Sequence, residues 1–129
     1  MMTEDFDLEF HKDHLCITPG TNNASNSKDT RFWETLAEAC ASHNCRRMLC
    51  EVEIFPNEMT YTEAYFVTRL IAENIPAVKI ACFVDGHVST DLAEFVELTA
   101  ANRGISIGFF SNRNEAIDWL NGSRKACST

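Results

Sequence analysis

Three short apolar runs, each followed by a segment with helical periodicity, constrain the fold more than any other feature of the sequence. They are R-M-L-C-E-V-E-I-F (47–55), V-K-I-A-C-F-V (78–84) and I-S-I-G-F-F (105–110). Nearly continuous apolarity over a short run is typical of strands that are buried on both faces, as central parallel strands are. The alternation of such strands with helices predicts an α/β fold with a parallel core sheet and right-handed crossovers.

Two more strands are predicted near the N-terminus. The sequence F-D-L-E-F at 6–10 alternates apolar and polar residues, and H-L-C-I-T at 14–18 follows a short polar break, which is typical of a hairpin at a sheet edge. Helical spacing predicts four helices, which begin near Asp29 or Thr30, at Thr60, between Ser89 and Asp91, and at Ser111 or Asn112.

The predicted architecture is one α/β domain over residues 1–122, with a disordered tail at 123–129. Its mostly parallel sheet of about five strands includes the N-terminal hairpin and is covered by the four helices. A chain of 129 residues is long enough for one such packed core. No internal repeat or second domain is apparent.

Composition narrows the class of function. The net charge of −8 argues against general affinity for nucleic acid or anionic membranes, which need clustered Lys and Arg. The longest apolar runs are far shorter than a membrane span, and the acidic N-terminus lacks the pattern of a signal peptide. We therefore expect a cytoplasmic protein without membrane insertion, in which the six cysteines stay reduced.

The segment M-T-Y-T-E at 59–63 carries the most informative local motif. Thr60-x-x-Glu63 fits a capping box, in which the threonine oxygen accepts from the Glu63 amide and the Glu63 carboxylate accepts from the Thr60 amide. Thr60, Tyr61 and Thr62 are also candidate phosphoacceptors, because a helix N-terminus tolerates the added negative charge. Capping alone is the simpler explanation for Thr60, but it does not require Thr62.

Three segments together resemble a known superfamily: C-R-R-M-L-C-E-V (45–52), V-K-I-A-C-F-V (78–84) and N-R-G-I-S-I-G-F-F-S-N-R-N-E-A-I-D-W-L (102–120). In order and pattern the chain resembles the STAS-like superfamily, the fold of bacterial anti-sigma-factor antagonists and of the cytoplasmic domains of sulfate transporters. It looks most like small stand-alone bacterial members with no assigned activity. The ending is the most specific part, through Phe110, Asn112, Glu115, Ala116, Trp119 and Leu120.

The resemblance implies a protein-interaction module rather than an enzyme. Phosphoswitch members carry a serine in a D-S-S-G type motif at the start of the helix after the second core strand, a place that corresponds by position to Thr60, Tyr61 and Thr62. This chain has neither the serine nor the glycine there. The switch is therefore a hypothesis for this chain.

Aromatic residues at helical spacing are predicted to pack in the core by default: Phe32, Trp33, Tyr65, Phe66, Phe95 and Trp119. Alternatively, Trp33 and Tyr61 are surface anchors for a partner or a second copy of the chain, with Glu63 beside them. Arg46-Arg47 and Arg124-Lys125 are the adjacent basic pairs.

Two regions of the sequence contain residue types that proteins use in catalysis or ligand binding. Asp85, His87 and Ser89 follow a core strand, where open α/β sheets tend to bind ligands, although a solvated turn is the simpler interpretation. Residues 40–50 hold three cysteines and a histidine without zinc-type spacing, and only Cys45, beside two arginines, has a sequence context that lowers a thiol pKa. We predict no catalytic residues, no metal site and no cofactor.

The leading hypothesis from sequence is a non-enzymatic regulatory or protein-interaction module that uses residues 56–63 and the adjacent helix faces, with an unidentified protein partner. A homodimer is an open alternative. A carrier or sensor of a small ligand or lipid is the second hypothesis, and an enzyme that uses His87 or Cys45 is the third.

Overall fold

The computed structural model describes residues 6–11, 14–19, 30–51, 55, 59–83 and 90–122. In chain order the elements are β1 (Phe6–His11), β2 (His14–Pro19), α1 (Thr30–His43), β3 (Arg47–Cys50), α2 (Tyr61–Asn74), β4 (Lys79–Phe83), α3 (Thr90–Asn102), β5 (Ser106–Phe110) and α4 (Arg113–Leu120). The predicted tail at 123–129 lies outside the described residues, as do residues 20–29 before α1.

The strands form one sheet in the order β1-β2-β3-β4-β5. β1 and β2 pair as an antiparallel hairpin, and every other neighbouring pair is parallel. The prediction of an α/β fold with a mostly parallel five-stranded sheet, an N-terminal hairpin and four helices is confirmed. Three successive crossovers in the same direction along the sheet place α1, α2 and α3 on one face, because such connections are right-handed.

Alternate residues of each strand point to opposite faces of the sheet, which gives two apolar clusters. The larger cluster joins strand residues to buried side chains of α1, α2 and α3: Ile17, Met48, Cys50, Ile80 and Ile107 meet Trp33, Leu36, Val67, Ile71, Leu92 and Val96, among others. The smaller cluster joins Cys16, Leu49 and Ala81 to Ala116 and Leu120 of α4. Both faces of the central strands are therefore buried, as their apolar sequences predict.

The short helix α4 is fixed to the second face by its aromatic and polar contacts. The Lys79 ammonium donates to the Trp119 carbonyl oxygen at 2.6 Å and lies 4.6 Å from the centre of the Trp119 ring. A Cβ atom at Gly108 would lie 3.0 Å from the Phe110 ring, so glycine permits the close approach of Phe110 and Trp119 to the sheet.

β3 is shorter than the predicted strand at 47–55. It ends at Cys50, and the amide of Glu51 makes the last parallel hydrogen bond, to the Ile17 carbonyl at 2.7 Å. In a parallel ladder the next backbone donor would come from Pro19 of β2. Proline has no N–H, so it cannot make this hydrogen bond. Phe55 is nevertheless buried, and its ring centre lies 5.9 Å from that of Phe109.

Candidate functional site

The start of α2 is held by the predicted capping box. Thr60 Oγ1 accepts from the Glu63 amide at 3.1 Å, and Glu63 Oε1 accepts from the Thr60 amide at 3.0 Å. Thr60 itself has an extended backbone, with φ −76° and ψ 162°, as N-cap residues have. The hydroxyl of Thr60 thus has a structural partner, and the Glu63 carboxylate is directed at the helix end.

Thr62 occupies a different position from Thr60. It is the second residue of α2, it is exposed, and the capping box does not involve it. Residues three and four positions further along a helix are its neighbours on the same face, and here these are Tyr65 and Phe66. Thr62 therefore lies between two aromatic side chains on the solvent side of α2.

Exposed large apolar side chains lie on the two packed helices α2 and α3, and this region is here called the α2–α3 surface. Its members are Tyr61, Tyr65 and Phe66 on α2 and Phe95 and Leu98 on α3. Four of them keep large exposed fractions: 50% for Tyr61, 41% for Tyr65, 44% for Phe66 and 64% for Leu98. The rings of Tyr61 and Phe95 are stacked at 4.7 Å with a 10° tilt, which joins the two helices. Large apolar side chains that cluster on a surface mark interaction sites more often than isolated ones do.

Arg103 holds one aromatic of this surface in place. Its Nη2 donates to the Tyr65 hydroxyl, and its guanidinium carbon lies 5.1 Å from the centre of the Tyr65 ring. A ring that is held by both a hydrogen bond and a cation–π contact loses less conformational entropy when a partner covers it. Tyr65 is therefore a preorganised contact residue.

Three carboxylates, those of Asp91, Glu94 and Glu97, are exposed on α3. Asp91 and Glu94 precede Leu98 by seven and four residues, so they share its side of the helix and place negative charge beside it. Partial desolvation raises the pKa of the Glu97 carboxyl, and the nearby charge of Glu94 raises that pKa further.

Removal of the Thr60 hydroxyl is expected to lower the stability of the protein more than removal of the Thr62 hydroxyl. Thr60→Val removes the acceptor for the Glu63 amide and should lower the free energy of unfolding by about 1 kcal/mol, because N-cap substitutions typically cost that much. Thr62→Val is the matched control and should change stability by less than about 0.5 kcal/mol, as exposed positions do. Urea unfolding of both variants measures this; equal losses would contradict a capping role specific to Thr60.

Glu97→Gln is expected to stabilise the protein at neutral pH. The folded-state pKa of Glu97 lies above the ordinary 4.5, so this group favours folding below that pH and loses the contribution as pH rises through its folded-state pKa. Glutamine does not ionise, so the variant should gain melting temperature relative to the native chain as pH rises from about 4 to 7. Glu73→Gln, which only removes an exposed ion pair with Arg69, should show no such gain. A pH-independent difference for Glu97→Gln would contradict this assignment.

The structure places the other predicted site residues differently. Trp33 is 0% exposed and packs in the larger core cluster, so the prediction that it is a surface anchor is wrong. Its indole lies on the side of α1 that faces the sheet, together with Leu36 and Cys40. Asp85, His87 and Ser89 lie outside the described residues.

Tyr65 and Phe66 were predicted to be core residues, and that prediction is wrong. The buried side of α2 is filled by smaller side chains instead: Ala64, Val67, Thr68, Leu70 and Ile71. Spacing of three and four residues among these five already gives a complete apolar stripe, which leaves the neighbouring aromatics outside it. That stripe is the sequence signal that distinguishes the buried residues of α2 from its exposed aromatic residues. The sequence has no comparable signal for the exposure of Leu98 on α3.

Four thiols of the described residues are buried, those of Cys16, Cys40, Cys50 and Cys82, whereas Cys45 is partly exposed. Burial raises the pKa of Cys40 to about 11 and raises those of Cys16 and Cys82 as well. Cys16 lies 3.9 Å from both Glu51 Oε2 and Arg113 Nη2, and Arg113 also pairs with Glu51. These contacts join α4 to the end of β3.

Comparisons of the chain with protein-family models, with curated proteins and with solved structures find no match. Within the described part of the chain, no cluster of three or more His, Cys, Asp or Glu side chains has the geometry to hold a metal ion. None of the described helices has the length and apolar character needed to cross a bilayer.

Proposed function

We propose that this protein is a regulatory protein-interaction module that binds its partner through the α2–α3 surface. The observation that carries the proposal is the cluster of exposed large apolar side chains around Tyr61 and Leu98. Tyrosines and other large side chains at the centre of an interface supply most of its binding energy when a partner excludes water from them. The function agrees with what the STAS-like resemblance implies, although that resemblance remains a prediction.

The charge beside the surface supports a partner other than a second copy of this chain. Asp91, Glu94 and Glu97 would face identical charges in a symmetric dimer that packs α3 on α3, and like charges at an interface disfavour association. A segment that covers α2 with apolar side chains and places Lys or Arg against the carboxylates of α3 complements both features. A homodimer through another face remains an alternative.

Thr62 is the proposed switch of this interaction. A phosphate at Thr62 would add about 1.5 to 2 negative charges at a helix N-terminus, where the helix dipole tolerates it. The same charge would lie between Tyr65 and Phe66, where a partner's apolar side chains would have to be buried. Phosphorylation at Thr62 would therefore release the partner without unfolding α2.

Affinity purification with variants tests the proposal. The tagged full chain, a Tyr61→Ala/Leu98→Ser variant and a Phe10→Ala control are expressed in the native cell and compared by mass spectrometry. Phe10 is 39% exposed on β1 and supplies a matched loss of exposed aromatic surface elsewhere. A partner is expected with the native chain and the control but not with the double variant, and phosphorylation is read at Thr60, Tyr61 and Thr62. A partner bound equally by all three proteins would contradict the proposal.

A further inference from the structure

A cleft lies at the other end of the sheet from the α2–α3 surface. Its walls are the end of α1, the residues that lead into β3, and the turn between α2 and β4. Its volume of about 860 Å³ is within the range of pockets that take small organic ligands. The cleft is independent of the proposed interaction, because the two sites share no residue.

The described residues of the cleft have a charge opposite to that of the whole protein. The chain carries −8 overall, yet the described residues that line the cleft include Arg46, Arg47 and Lys79 and no carboxylate. The Lys79 ammonium is held by the Trp119 carbonyl oxygen. In the described part of the chain, no carboxylate forms an ion pair with Arg46 or Arg47, and both side chains are exposed. Two exposed guanidinium groups therefore line the cleft.

The cleft lies at the C-terminal ends of α1 and α2, and helix C-termini attract cations through their last carbonyls. Backbone donors occupy one carbonyl at each end. The Cys45 amide donates to the Cys40 carbonyl at 2.9 Å, and the Ile75 amide donates to the Ile71 carbonyl at 2.8 Å.

Two stacked aromatic rings stand at one side of the cleft. The rings of Phe10 and His43 are parallel within 4° with their centres 4.4 Å apart, so each covers one face of the other, and both residues line the cleft. The same two residues also line a second groove, which holds Glu9 and Glu38. A planar group can pack against an outer face of this stack.

The backbone conformation of the cleft follows in part from the helix end. Among the described residues other than glycine, Asn44 and Ala77 have positive φ, at 51° and 64°, and both line this cleft. Asn44 directly follows α1, and the Cys45 amide donates to the Cys40 carbonyl, so its conformation is that of a helix C-terminal cap. Ala77 lies in the turn between α2 and β4, where alanine pays a steric penalty for positive φ.

We propose that this cleft binds a small organic anion that combines a phosphate group with a flat apolar group. Arg46 and Arg47 hold the phosphate, because guanidinium groups donate paired hydrogen bonds to phosphate oxygens. The flat group lies against an outer face of the Phe10 and His43 stack. The phosphate alone makes only part of these contacts, and a neutral aromatic compound lacks the charge.

Titration of the full chain, followed by the ¹H–¹⁵N spectrum, tests this assignment with three probes. Phenyl phosphate is expected to give saturable shifts at the amides of Asn44, Cys45 and Ala77, inorganic phosphate is expected to bind more weakly, and benzyl alcohol is expected to give no saturable shift. Arg46→Gln and Arg47→Gln should each weaken phenyl phosphate binding about tenfold, as the loss of a charged hydrogen bond does.

Arg69→Gln is the control, since it removes an arginine on α2 that pairs with Glu73 and does not line the cleft. It should leave the affinity for phenyl phosphate unchanged. Arg46→Lys keeps the charge and should recover part of the affinity lost in Arg46→Gln. Equal binding of benzyl alcohol and phenyl phosphate, absence of shifts at the cleft, or an equal effect of Arg69→Gln would each overturn the proposal.

Discussion

Trp33→Ala is expected to lower the free energy of unfolding by about 3 to 5 kcal/mol, the range for removal of a buried tryptophan side chain. The indole is 0% exposed, and its ring centre lies 4.8 Å from that of Phe32 in an edge-to-face contact. The cavity left by alanine would open between α1 and the sheet. Urea unfolding followed by circular dichroism measures the loss.

Tyr61→Ala is the matched aromatic control for that experiment. Tyr61 is 50% exposed and contacts Phe95, so its removal should cost about 1 kcal/mol or less, which is the usual value of an aromatic pair. If Trp33→Ala and Tyr61→Ala lost similar stability, the buried position of Trp33 would be contradicted.

The second large effect is expected in binding rather than stability. Tyr61→Ala and Leu98→Ser should each weaken binding of the partner by about 30-fold or more, because interface hot spots contribute about 2 kcal/mol or more. Isothermal titration calorimetry with the partner recovered by affinity purification measures this loss. Phe10→Ala should bind as the native chain does, and a loss confined to Phe10→Ala would place the interface elsewhere.

The order of the helices and strands was predictable because each of them is indicated by residues within its own stretch of sequence. The runs at 78–84 and 105–110 are too apolar to be solvent-exposed segments, so they predict buried strands. Thr60 and Glu63 form a capping box within four consecutive residues, which predicts the start of α2. The end of β3 was not predictable from its own sequence. It depends on Pro19 of a neighbouring strand, which cannot supply the next donor of the ladder.

The surface could be predicted only in part, because an amphipathic pattern does not say which flank of a helix a neighbour covers. Tyr61 was proposed from sequence as a surface anchor, and its side chain is exposed. Trp33 is the other surface anchor predicted from the sequence. It is buried instead, because the sheet covers the side of α1 that bears the indole. Tyr65 and Phe66 are outside the core because Val67 and Ile71 already fill it.

The basic cleft depends on contacts between distant parts of the chain. Arg46-Arg47 was recognisable in the sequence as a basic pair, but the charge alone does not define a site. The cleft forms because β3 and β4 are parallel neighbours, which brings the turn around Ala77 beside the end of α1. Phe10 then reaches His43 from the edge strand. None of these distances is encoded locally.

Hydrogen exchange of the chain in complex with its recovered partner tests the central claim most directly. The proposed interface predicts slower amide exchange on binding in the first turns of α2, around Tyr61, Tyr65 and Phe66, and in α3 around Phe95 and Leu98. A chain phosphorylated at Thr62 should show no such protection under the same conditions. Protection confined to β1, α1 or α4, with exchange in α2 and α3 unchanged, would contradict the account.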